Sequence, residues 1–181
     1  MSEELGIDIV EKATIKLGDE ITYKNEPFYV IGGDEVGKAI SDSTQDILLL
    51  AKYNLKKEDT EITLKQDTSG EINGCSFTST YLGNATSIIT IAKLYGESLG
   101  AKEGRLMNFE EAKALYTYGY SDILYGKNTE KGYLNYWLAA EDGDNGKWLV
   151  SGVSKAAGKY DYPSKNIGAR PVIKVSWPLI W

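Results

Sequence analysis

Tyr136-Trp137-Leu138-Ala139-Ala140-Glu141-Asp142-Gly143-Asp144-Asn145-Gly146-Lys147-Trp148-Leu149-Val150 is the stretch on which the fold turns. Two short apolar runs flank a polar segment whose Asp-Gly and Asn-Gly pairs favour the positive backbone angles of a hairpin tip. The pattern predicts an antiparallel hairpin with arms at 136–140 and 147–150. A last strand is expected over Arg170–Trp177, after an irregular stretch at 154–168.

Outward from that hairpin, helical spacing appears twice. Ile88, Ile91, Ala92, Tyr95 and Leu99 fall on one face of a 3.6-residue repeat, with Gly100 placed as a C-terminal cap. Asn108 is placed to cap a second helix, with Glu111 as its capping-box partner and Phe109, Ala112, Leu115 and Tyr116 on one face. The first third alternates apolar with polar residues at Ile15 and Leu17, Ile21 and Tyr23, and Phe28 and Val30, which predicts a β-meander turning at Gly18-Asp19 and Lys24–Pro27. Asp46–Tyr53 reads as a buried strand, and 54–84 as a loop-rich insert with one short strand near Ile62–Leu64.

Composition removes whole mechanisms. The 181 residues carry 20 Lys plus Arg against 26 Asp plus Glu, with no His and one Cys. Length and a 42% hydrophobic share suit one domain with a sizeable core. The net charge of −6, with no dense basic run, argues against binding nucleic acid through its phosphates. Without His, the Ser-His-Asp and Cys-His triads, His-ligated zinc and an imidazole base are out of reach. Cys75 alone forms neither an intrachain disulfide nor a metal cluster site, and reads as a small packing residue. Residues 1–20 are acidic and lack the pattern of a signal peptide, and no apolar run is long enough to cross a bilayer. A soluble chain without membrane insertion is expected, with no cofactor and no metal.

The ordered set of motifs resembles the bacterial and viral C-type-lectin-fold family. Tyr136-Trp137-Leu138, Lys147–Val150 and Gly168-Ala169-Arg170-Pro171-Val172-Ile173 look like that family's ending, although Ala169 stands where Val is usual. Gly18–Tyr23 is similar to its opening hairpin, Leu50–Leu55 to its "L-x-K-Y-N-L" strand, and Gly104–Leu115 to its second helix. The matches span about residues 14–175 of what is expected to be a single domain covering 1–181. The resemblance implies an α+β fold with two helices, antiparallel sheets and long loops. It further implies a variable protein of a diversity-generating retroelement, displayed on a virion or cell surface, with 133–173 as the diversified segment. Its partner would be a protein or glycan on another cell or particle. A structural or adhesive subunit, such as a pilin-like ectodomain, is the alternative. The formylglycine-generating enzymes share the fold but need paired cysteines, which this chain lacks.

Eight of the 13 tyrosines lie between 116 and 162, beside loops of Asp, Asn, Ser, Gly and Lys. Tyr offers large contact area at low rotamer cost and the small polar residues offer hydrogen bonds, so a ligand face is expected. Its candidates are Tyr133, Asn135, Glu141, Asp142, Asp144, Asn145, Lys155, Tyr160, Asp161, Tyr162 and Asn166. Tyrosines packed against strands would give the same composition. The acidic cluster at 141–145 also suits calcium, but the lectin "E-P-N" and "W-N-D" pairs are absent and a solvated hairpin tip explains it with less. Trp137, Trp148, Arg170 and Pro171 are assigned to the scaffold, with Arg170 as a hydrogen-bond hub. Trp177 and Trp181 either pack against the first strands or, with Leu5, Ile7 and Ile9, mediate self-association.

Overall fold

The computed structural model describes residues 15–58, 61–72, 85–127, 131–139, 148–160 and 167–179. It is a mixed α+β arrangement with antiparallel sheets. The largest sheet is formed by β1 (Glu20–Tyr23), β2 (Glu26–Gly33), β3 (Asp46–Ala51), β10 (Pro171–Ser176) and β6 (Glu103–Leu106), in that spatial order. β4 (Leu55–Glu58) pairs with β5 (Glu61–Gln66), and β7 (Asn135–Trp137), β8 (Trp148–Ser151) and β9 (Ala156–Lys159) form a third sheet. The helices are α1 (Ala85–Ser98), α2 (Phe109–Thr117) and α3 (Ser121–Tyr125).

The central position of β3 explains its uninterrupted apolar run. Alternate residues of a strand point to opposite faces, so a strand covered on both sides must be apolar throughout. Ile47, Leu49 and Ala51 join Phe28, Val30, Ile173 and Val175 in a core beneath Ile88, Ala92 and Tyr95 of α1. Leu48 and Leu50 join Tyr29, Ile31 and Val172 in a second core with Ala112 and Leu115 of α2 and with Tyr136 and Val150. α2 begins as its sequence demands: the Asn108 side chain accepts from the Glu111 amide at 2.8 Å, and the Glu111 carboxylate accepts from the Asn108 amide at 3.1 Å.

Several expectations are corrected. Ile15–Leu17 is not a strand: the chain turns there, with the Lys16 amide bonded to the Asp19 carboxylate at 2.9 Å, so the meander reduces to the β1–β2 hairpin. The insert at 54–84 holds a two-stranded hairpin rather than one short strand. Gly104–Leu106, expected within the second helix motif, belongs to β6 and pairs with β10. Helix α3 is a third helix, five residues long, where two were expected. The stretch at 154–168 contains β9. At the C-terminal end, Trp177 and Leu179 are buried in the first core, which agrees with packing within the chain; Trp181 and Leu5, Ile7 and Ile9 lie outside the described residues.

Candidate functional site

Arg170 organises the ground beneath the site. Its guanidinium is fully buried, donating from Nε to the Ala51 carbonyl at 2.6 Å and from Nη1 to the Ile123 and Leu124 carbonyls at 2.9 and 3.1 Å. Those last two carbonyls end α3, where the helix presents partial negative charge. The cation also lies 5.1 Å from the centroid of the Tyr136 ring, whose hydroxyl donates to the Leu124 carbonyl at 2.6 Å. Burial lowers the Arg170 pKa, with Tyr136 acting in the opposite sense. One side chain thus fastens the end of β3, the end of α3 and β7. This is the hub role expected of Arg170, with Pro171 buried at the head of β10 and paired with Leu106.

Above this hub a groove of about 230 Å³ opens between α2, α3 and β9. The spacing of Phe109, Ala112, Lys113 and Tyr116 places these side chains along one flank of α2. Leu124 and Tyr125 come from α3, and Lys155 and Ala157 from the β8–β9 hairpin. Phe109 packs on Trp148 with ring centroids 5.2 Å apart, so Trp148 is half-buried under the groove while Trp137 is fully within the first core. Tyr116, expected on the buried face of α2, is instead 62% exposed at the rim.

The β8–β9 turn is held by two features. A Cβ on Gly152 would lie 2.4 Å from Tyr133 Cβ and 2.5 Å from the Leu134 carbonyl oxygen, so only glycine permits this approach. Lys155 occupies the left-handed region at φ 52°, which is costly for a side chain other than Gly, Asn or Asp. The result is a lysine ammonium 3.8 Å from the centroid of the Tyr133 ring, a cation–π contact. Burial raises the Tyr125 phenol pKa, with Tyr116 and Tyr160 adding to the shift and Lys155 opposing it. Three tyrosines and a lysine therefore share one electrostatic neighbourhood.

Among the expected ligand residues, Tyr133 and Lys155 are brought into contact, and Tyr160 lies near enough to influence Tyr125. Asn135 serves the fold: its side-chain oxygen accepts from the Gly152 amide at 3.1 Å, and its carbonyl accepts from the Asn54 side chain at 3.1 Å. Glu141, Asp142, Asp144, Asn145, Asp161, Tyr162 and Asn166 lie outside the described residues. Phe109, Lys113, Tyr116 and Tyr125 line the groove without having been singled out for it. The i, i+4, i+7 spacing of Phe109, Lys113 and Tyr116 was the available signal.

A larger groove of about 340 Å³ lies between the β2–β3 connection and α2, and Asp34, Arg105, Glu111 and Lys174 in its lining are engaged within the fold. Arg105 donates to both Glu111 carboxylate oxygens at 2.6 and 2.8 Å, Lys174 pairs with Glu103 at 3.1 Å, and Asp34 accepts from the Gln45 and Asp46 amides. Among the described residues, no three Cys, Asp or Glu side chains gather as a metal site would require, and no helix is long and apolar enough to cross a membrane. Compared with family models, curated proteins and solved structures, the chain finds no match in any of the three.

Proposed function

We propose that this chain is a non-enzymatic binding protein of the C-type-lectin fold, a retroelement variable protein whose C-terminal surface recognises a ligand on another cell or particle. The observation that carries the reading is Lys155, set over the Tyr133 ring in a left-handed turn beside an aromatic groove. A backbone conformation unfavourable to its own side chain is a mark of functional sites. The surrounding tyrosines are residue types suited to contact with varied partners. A fully buried arginine hub ties the ends of β3 and α3 to β7 beneath that surface and so supports the exposed residues above it.

The test is sequencing of the gene across many clones of a propagated population. Replacements confined to scattered codons within 133–173, and absent at Trp137 and Arg170, are expected. Variation spread evenly along the gene, or none with no template repeat and no reverse-transcriptase gene nearby, would overturn the retroelement assignment in favour of a fixed adhesive subunit.

A further inference from the structure

Lys113 and Lys155 flank the groove, and among the described residues neither takes part in an ion pair, although acidic residues outnumber basic ones in the chain. Between them the walls are apolar and aromatic, from Phe109, Ala112, Leu124 and Ala157 with the rings of Tyr116 and Tyr125. The groove, at about 230 Å³, is small enough to suit the insertion of one side chain. It falls below the ~300–1,000 Å³ usual for small-molecule sites.

We propose that this groove is the docking slot for an acidic segment of a partner protein, which inserts one aromatic side chain between α2 and β9. Carboxylates flanking the anchor meet Lys113 and Lys155. This rests on reading the surface as a binding face, and adds the chemistry of its occupant. An aromatic anchor suits apolar walls because it brings no ring of hydroxyls to be desolvated without partners, as a sugar would. Buried aromatic anchors are where protein interfaces concentrate their affinity, and complementary charges at the rim govern encounter and choice of partner. The exposed ring of Tyr116, 62% accessible, extends the contact surface along the outer side of α2.

The test is fluorescence anisotropy with a labelled peptide in which one tryptophan is flanked on both sides by glutamates. Binding to the wild-type chain is expected, weakening at least tenfold when the tryptophan becomes alanine or the glutamates become glutamines. Lys113→Glu and Lys155→Gly are each expected to weaken it about tenfold; glycine suits the backbone at 155, so loss of folding does not confuse the second result. Binding unaffected by both substitutions would overturn the proposal. An array of neutral and acidic glycans, read with wild type and Tyr133→Ala, separates the two levels. Glycan capture lost in Tyr133→Ala, without peptide binding, removes the acidic-segment assignment and leaves the binding face standing; silence in both assays removes both.

Discussion

At position 155 the chain keeps a lysine where the backbone favours glycine. The left-handed conformation costs a side chain roughly 1 kcal/mol or more relative to glycine, and the Tyr133 contact returns only part of that because the lysine is exposed. Lys155→Gly is therefore expected to raise stability by about 0.5–1 kcal/mol, read as an increased midpoint in urea unfolding. A loss of stability would mean that Lys155 is a structural residue. Arg170 is the opposite case. Arg170→Ala would remove a buried donor to the Ala51, Ile123 and Leu124 carbonyls, of which Ile123 keeps the Gly126 amide and Leu124 the Tyr136 hydroxyl. Thermal melts should show a loss of about 3–5 kcal/mol, whereas Tyr160→Ala should lower the melting temperature by only a few degrees.

At the scale of elements, α1 and β6 meet through glycine. A Cβ on Gly104 would lie 2.3 Å from the Ala92 carbonyl oxygen and 2.8 Å from Gly96 Cα. Gly104→Ala must therefore push α1 away from the sheet edge, and a loss of about 1–3 kcal/mol in urea unfolding is expected. The elements legible in the sequence were those with a strong local signal: the continuous apolar run of β3, the Asn108–Glu111 capping box, and the 3.6-residue repeat over Ile88–Leu99. Those that escaped lacked one. Ala156–Lys159 contains two alanines and a glycine and becomes β9 only by pairing with β8. Helix α3 is too short to show a period, and its final carbonyls are satisfied by an arginine far along the chain. Tyr133 and Lys155 were legible as residue types. Their contact depends on the close approach of Gly152, and the groove on α2 lying beside β9, neither of which local patterning encodes.

Across the whole molecule, buried phenols set the alkaline limit. Burial raises the pKa of both Tyr95 and Tyr136, the first bonded to Gln66 and Glu26 and the second lying against Arg170. Above pH ~10 the unfolded chain releases these protons while the folded chain retains them. The unfolded state then binds fewer protons, and stability falls as pH rises, by up to about 1.4 kcal/mol per pH unit for each such phenol. Urea midpoints measured between pH 8 and pH 11, a range set by the ordinary Tyr value of about 10, should be flat at first and then drop. Tyr95→Phe should shrink the drop, and an unchanged alkaline slope in that variant would show that Tyr95 titrates as freely when folded as when unfolded.

Binding through the Tyr–Lys surface is the claim on which the functional reading stands, and amide chemical-shift mapping of the labelled chain with the tryptophan–glutamate peptide tests it most directly. Shifts concentrated at Lys113, Tyr116, Tyr125, Tyr133, Lys155 and Ala157 are predicted, with α1 silent. Shifts centred on α1 or on the Arg105–Glu111 groove, or no shifts at saturating peptide, would contradict it.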